Sequence, residues 1–345
     1  MKAKNLTTLM FLVISLIMGC SNNDDNPTSS QETRIYVAGY QNNGIKNVGK
    51  VWSLSDSETG SDITTNLSDG SQHAATYDVY VAGGDVYTAG REHNGTNYVA
   101  KVWKNGAATN LTDGSQSAYA YSVFVSGNDV YASGWEFNGT DNIAKVWKNG
   151  VATNLTNGLN NANAYAVYVS DNDVYAVGRE ENNTNTVAKL WKNGMATDLT
   201  DGTEDALAYS VFVSGTDVYV AGYESNGTNN VAKIWKNGIA TDLTDGTQTA
   251  YANGVFVSGS DVYAVGRELN GLRYVAKVWK NGVATDLSDG VNNAQAYSVY
   301  VSGDDVYVAG FETYGAGSVA ILWKNGIAQP LATGFDSFAY SVFVK

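Results

Sequence analysis

Beyond residue 33 the apolar positions come in short bursts rather than in helical stripes. One stretch shows the pattern. Ala208-Tyr209-Ser210-Val211-Phe212-Val213 is rich in β-branched and aromatic residues and reads as a strand. Ser214-Gly215-Thr216 makes a tight turn, and Asp217-Val218-Tyr219-Val220-Ala221-Gly222 reads as a second strand. A polar tip, Ser225 to Asn230, reverses the chain into a third strand, Val231 to Lys236. Asn237-Gly238 then asks for positive φ at both central positions, the signature of a type I′ hairpin. Ile239-Ala240-Thr241-Asp242-Leu243 is a fourth, more polar strand suited to an outer edge. Four antiparallel strands are predicted, and nothing in the pattern has a helical period.

The pattern repeats. Trp103, Trp147, Trp191, Trp235, Trp279 and Trp323 stand 44 residues apart, each opening Trp-Lys-Asn-Gly. Trp52 belongs to the same series, displaced by a seven-residue insertion within Ser53–Asn66. This period falls in the range of propeller blades, and leucine-rich, TPR and ankyrin periods do not match it. A four-stranded sheet this small cannot cover both its faces alone, whereas blades in a ring bury one another. The ring can also be closed from the sequence. The repeats start with a second strand, Arg34-Ile35-Tyr36-Val37-Ala38-Gly39, that lacks a first. They end with a first strand, Phe338-Ala339-Tyr340-Ser341-Val342-Phe343-Val344, that lacks a second. Pairing the two gives an all-β chain: a seven-bladed β-propeller of four-stranded antiparallel blades over 34–345, closed by the C-terminal strand in the first blade. The unit resembles a β-propeller repeat in general, and its Val-Tyr-Val-Ala-Gly strand is loosely similar to pyrroloquinoline-quinone-type propellers. The docking tryptophan signature of that family is absent. So are the WD dipeptide with its GH partner, the kelch double glycine, YWTD and the DxDxDG calcium loop. The resemblance implies an architecture and no activity.

The first residues are of another kind. Lys2 and Lys4 precede an apolar run, Leu9 to Met18, too short to span a bilayer with the usual margin. It ends Ile17-Met18-Gly19-Cys20, which resembles a bacterial lipobox. That resemblance implies a signal peptide over 1–19, a lipidated (palmitate-bearing) Cys20, and a polar tether over 20–33. Ser21 after the cysteine resembles the outer-membrane sorting pattern of Gram-negative lipoproteins, and Asp24-Asp25 resembles a surface-export signal. The expected location is the outer membrane or cell surface, with the lipid as membrane anchor.

Composition narrows the chemistry. The chain has 345 residues, one cysteine and two histidines, with a formal net charge of −13. Loss of the leader with its two lysines takes the charge to −15. One cysteine excludes an internal disulfide and thiolate metal clusters. The acidic balance argues against nucleic acid, whose phosphates need Lys and Arg. No cofactor is expected. Asn94-Gly95-Thr96 and Asn226-Gly227-Thr228 match the glycosylation sequon, but in a bacterial lipoprotein they read as turns.

Nearly identical copies make their differences informative. After the second strand the copies read Tyr40-Gln41, Arg91-Glu92, Trp135-Glu136, Arg179-Glu180, Tyr223-Glu224, Arg267-Glu268 and Phe311-Glu312. The connection from the fourth strand to the next first strand also varies, as in Ser71-Gln72-His73 and Thr203-Glu204-Asp205. In an antiparallel blade both loops lie on one rim, the face where propellers usually bind. Tyr40, Trp135, Tyr223 and Phe311 alternate with Arg91, Arg179 and Arg267, either as inter-blade stacking or as a ligand platform. Aromatic faces with polar acceptors suit a glycan. Glu92, Glu136, Glu180, Glu224, Glu268 and Glu312 belong to the same candidate set, either as a carboxylate ring able to hold a cation or as ion-pair partners of Lys50, Lys101, Lys145, Lys189, Lys233 and Lys277, two residues before Trp; Ile321 breaks the lysine series and Gln41 the glutamate series. His73 and His93 fall in the two variable loops of one blade, where with Glu92 they are weak candidates for a metal or a general base. The expected function is a monomeric, non-enzymatic surface scaffold that binds a polysaccharide or protein through this rim. The alternative is a glycan-active lyase or hydrolase using rim carboxylates. Against it, near-identical repeats set no unique acid/base pair against a unique groove.

Overall fold

A computed structural model describes residues 33–56, 61–315, 317–333 and 336–345. The leader (1–19), Cys20 and all but the last residue of the tether lie outside the described residues. The described residues form seven four-stranded antiparallel sheets. The second blade shows the plan: β4 (Ala74–Ala82), β5 (Asp85–His93), β6 (Tyr98–Lys104) and β7 (Ala107–Asn110) lie in chain order from the axis outward. Blades three to seven repeat it, with innermost strands β8 (Ala118–Ser126), β12 (Ala162–Ser170), β16 (Ala206–Ser214), β20 (Ala250–Ser258) and β24 (Ala294–Ser302).

The first blade is built from both ends of the chain. Its order is β28 (Ser337–Val344), β1 (Arg34–Asn42), β2 (Asn47–Ser55), β3 (Ile63–Asn66). β28 runs antiparallel to β1 with Ile35 opposite Val344 and Gln41 opposite Ser337. The closure expected from the missing strands is therefore present.

Apolar side chains between neighbouring blades hold the ring together. Between blades two and three, Tyr87, Ala89 and Val102 meet Ala118, Val123, Ala132 and Trp147. The period tryptophans Trp103, Trp147, Trp191, Trp235, Trp279 and Trp323 are each at most 1% exposed. Burying so large a ring at every joint explains why the Trp spacing is the strongest signal in the sequence. The outermost strands, such as β7, are short and fully exposed. The Asn-Gly hairpins take the predicted backbone: φ is 50° at Asn105 and 83° at Gly106. Asn105 also donates to Asp85 Oδ1 at 2.7 Å and accepts from Val86 N–H at 2.9 Å, tying two turns of one blade together on the rim opposite the variable loops.

Candidate functional site

Every innermost strand carries a β-bulge at the same place. In blade three the register passes from Ala120–Gly134 to Ser122–Ser133, leaving Tyr121 unpaired. The same step skips Tyr77, Tyr165, Tyr209, Asn253, Tyr297 and Tyr340. A bulge re-aims the side chain of the extra residue. Here it turns six tyrosines and Asn253 toward the axis, where they line a central cavity of about 380 Å³. The glycine opposite each bulge makes room for it. At Gly134 a Cβ would fall onto the carbonyl oxygen of Tyr119, and the equivalent glycines, Gly39 to Gly310, face the equivalent oxygens.

The tyrosines form an interrupted ring. Tyr297, Tyr340, Tyr77, Tyr121, Tyr165 and Tyr209 follow one another with centroids 4.9 to 5.6 Å apart. Asn253 breaks the series and donates instead to Ala296 O at 2.8 Å. Burial pushes the phenols of Tyr77, Tyr209 and Tyr297 well above their ordinary value and that of Tyr121 up to about 12. Toward the opposite rim a second ring closes completely. Tyr80, Phe124, Tyr168, Phe212, Phe256, Tyr300 and Phe343 touch in sequence, with centroids 4.7 to 5.1 Å apart all the way round.

Between the rings the chain departs from its repeat. Ser122, Ser210, Ser298 and Ser341 follow the bulge in four blades, Ala166 and Gly254 in two, and Asp78 in the second blade. The Asp78 carboxylate accepts from Ser341 Oγ at 2.6 Å, Ser122 Oγ at 2.8 Å, Val123 N–H at 2.9 Å and its neighbour Val79 N–H at 2.9 Å. It thus joins blade one through the closing strand to blade three. Burial raises its pKa, and the four hydrogen bonds oppose that rise.

The residues singled out on the variable rim fall into two sets. Tyr40, Arg91, Trp135, Arg179, Tyr223, Arg267 and Phe311 are all half-buried around the channel mouth. Arg91 lies over the rings of Tyr98, at 4.1 Å, and of Tyr119 in the next blade, at 3.8 Å. Arg267 lies over Tyr274 and Tyr251 and donates to Gln295 Oε1 of the next blade at 2.7 Å. Trp135 donates its indole N–H to Tyr121 Oη at 3.0 Å and packs on Tyr119. Phe311, Phe338 and Tyr40 pack together at the seam between blades seven and one. Arg91 and Arg267 therefore stack on strand-one and strand-three tyrosines, rather than on the alternating aromatics of their own series, while Arg179 reaches Glu181 at 3.9 Å.

The glutamates do not join this set. Strand alternation turns each to the other face of its blade. There Glu92 meets Lys101 at 2.7 Å, Glu136 meets Lys145 at 2.9 Å, Glu180 meets Lys189 at 3.2 Å, and Glu224 and Glu268 meet Lys233 and Lys277 at 3.3 Å. Where Ile321 replaces the lysine, Glu312 is buried and accepts from Tyr314 Oη at 2.8 Å. Where Gln41 replaces the glutamate, Lys50 donates to Asn66 Oδ1 at 2.7 Å.

His73 and His93 are neighbours, joined by a backbone hydrogen bond of 2.8 Å from His93 N–H to His73 O. Both rings are occupied locally. His73 Nδ1 accepts from Asn47 N–H at 3.2 Å and His93 Nδ1 from Gly95 N–H at 3.1 Å. Burial first, then the charges of Lys46, His93 and Arg91, hold His73 below its ordinary value. Among the described residues no three His, Cys, Asp or Glu side chains gather as a metal site.

No family model matches the chain, and no curated protein matches it. Among solved structures it is similar to a putative TolB from Agrobacterium tumefaciens, at 11% identity over 61% of this chain and 80% of that one, with a TM-score of 0.42. It is also similar to TolB from Acinetobacter baumannii, at 11% identity over 75% of this chain and 64% of that one, with a TM-score of 0.46. At this identity the likeness concerns the fold alone.

Proposed function

We propose that this chain is a non-catalytic binding propeller that takes a polysaccharide at its variable rim, held at the bacterial outer membrane by a lipid on Cys20. The observation that carries the reading is the channel mouth. There a bulge in every blade collects tyrosine hydroxyls inside a ring of aromatic and guanidinium faces. Sugars offer flat C–H faces for stacking and hydroxyls for directional bonds, and this mouth supplies both kinds of partner. The rim glutamates support a non-catalytic role, because a glycosidase needs one carboxyl held neutral beside a second one across the substrate. Here Glu92, Glu136, Glu180, Glu224 and Glu268 each hold a lysine instead.

The test is a screen of immobilised polysaccharides with the full chain in mild detergent, beside Trp135→Ala and Tyr223→Ala. Binding that both substitutions weaken at least tenfold is the expected result. Absence of any glycan binding points to a protein partner and ends the glycan reading. Turnover of a bound glycan that Glu→Gln changes abolish would establish the enzymatic alternative.

A further inference from the structure

A polysaccharide can be neutral or acidic, and the arginines at the channel mouth bear on which one fits. Five arginines occur in the chain, and three of them, Arg91, Arg179 and Arg267, ring the channel mouth on blades two, four and six. Their position follows from what their charges reach. Arg91 lies 5.8 Å from the ring of the axial Tyr77; burial raises the axial phenols, and the charge of Arg91 opposes that rise at Tyr77 and Tyr121, that of Arg179 at Tyr121, and that of Arg267 at Tyr209 and Tyr297. All three Nε atoms are buried without a hydrogen-bond partner. Among the described residues, the one carboxylate near a rim guanidinium is Glu181, whose Oε1 lies 3.9 Å from Arg179 Nη1, at the outer limit of an ion pair.

This contrasts with the rest of the surface. The lysines of blades two to six are paired with glutamates on the blade faces, and with aspartates on the opposite rim, as in Lys104–Asp85 at 2.7 Å. Aspartates on the arginine rim are spent on backbone and turn bonds: Asp113 on Ser115, Asp201 on Thr203 and Asp245 on Thr247, with Asp205 and Asp336 accepting the N–H groups of Thr186 and Ser318. Stacking holds the planes of Arg91 and Arg267; Arg267 gives one Nη1 bond to Gln295, and the remaining Nη groups of both stay as fixed donors. Tyrosine hydroxyls add further donors beneath them. A converging set of donors built on three guanidinium groups fits an oxyanion, and it sets this mouth apart from the acidic balance of the chain as a whole.

Resting on the glycan reading, we infer that the channel mouth is an anion site, and that the protein recognises acidic polysaccharides through their carboxylate or sulfate groups, with Arg91, Arg179 and Arg267 as the donors. The probes are polygalacturonate against its methyl ester, and dextran sulfate against dextran, titrated into the full chain in mild detergent. Expected is binding of at least one acidic polymer, at least tenfold tighter than its uncharged counterpart. Which acid binds identifies carboxylate or sulfate as the group read. Arg179→Gln, which gives up no ring stacking, should weaken that binding about tenfold with an unchanged melting temperature. The triple Arg→Gln variant should abolish it, and Arg→Lys at all three positions should restore part. Equal binding of a charged polymer and its uncharged counterpart overturns the anion site and leaves the glycan reading standing. So does unchanged affinity in the Arg179→Gln and triple Gln variants. Binding of none of the four polymers overturns both.

Discussion

Replacing Asp78 gives a direct measure of how the ring is fastened. The carboxylate is the one acidic group among the residues that line the central cavity, and it joins the closing strand to blade three. Asp78→Ala strands the Val123 N–H and withdraws the acceptor from Ser341 and Ser122. An unsatisfied buried group costs about 1–3 kcal/mol, and a bond to a charged acceptor is worth about 1.5–3 kcal/mol. Relief from burying a charge offsets part of the loss, so a net destabilisation of about 2–3 kcal/mol is expected. For a domain of this size each kcal/mol moves the melting temperature by roughly 2 °C, giving a fall of about 4–6 °C in a thermal scan at neutral pH. Asp78→Ser should recover about half of that. The repeat already shows how: Ser122 Oγ accepts the N–H of Val167 in the following blade at 3.3 Å, and Ser210 and Ser298 do the same for Val255 and Val342.

Acidification supplies an independent arm. Because burial raises the Asp78 pKa, the folded state binds the proton more readily than the unfolded chain does. The resulting stabilisation is complete below the ordinary carboxylate value of 3.8 and is lost as pH rises through the folded-state pKa of Asp78. Wild type should therefore gain stability relative to Asp78→Asn as pH falls from neutral toward that value. A serine variant no more stable than the alanine variant, or parallel pH profiles for wild type and Asp78→Asn, would refute this account of the site.

Three further outcomes are expected. Deletion of 338–345 removes the inner strand of blade one together with the Ser341 clip, and should abolish cooperative unfolding; a melting curve like that of the intact chain counts against the closure. Gly134→Ala forces a Cβ onto the Tyr119 carbonyl and should cost about 3 kcal/mol or more by straightening the bulge, read as a lowered denaturation midpoint and lost near-ultraviolet circular dichroism from the displaced tyrosine. Trp191→Ala should cost about 3–5 kcal/mol through the cavity between blades three and four, while Trp191→Phe should cost less, because the indole N–H it removes has no partner.

Much of this architecture is legible in the residues. The Trp spacing sets the blade count, Asn-Gly marks the hairpins, and the unmatched strands at the two ends give the closure. What stays hidden is phase. Ala118-Tyr119-Ala120-Tyr121-Ser122-Val123 reads as one unbroken alternation with both tyrosines on one face. The bulge splits them: Tyr119 stays with Trp135 on the blade face and Tyr121 swings to the axis. The clue is the strand-two glycine, such as Gly134, which makes room for the Tyr119 carbonyl beside the bulge. Asp78 is hidden for a different reason, since a single polar change inside an inner strand lacks significance until the strands surround a cavity. Arg91 and Glu92 part company by ordinary strand alternation, which sends one to Tyr119 and the other to Lys101.

The closed hoop from Tyr80 to Phe343 has an evolutionary consequence. Tandem copies this similar invite unequal recombination, which adds or removes whole 44-residue units. Each aromatic in the hoop touches one ring on either side, so the circumference is fixed by the number of rings. Six would crowd the axis and eight would open a gap, even though the C-terminal strand would still find β1 as its partner. The hoop thus acts as a counter, allowing the gene to recombine freely while the folded protein accepts one copy number.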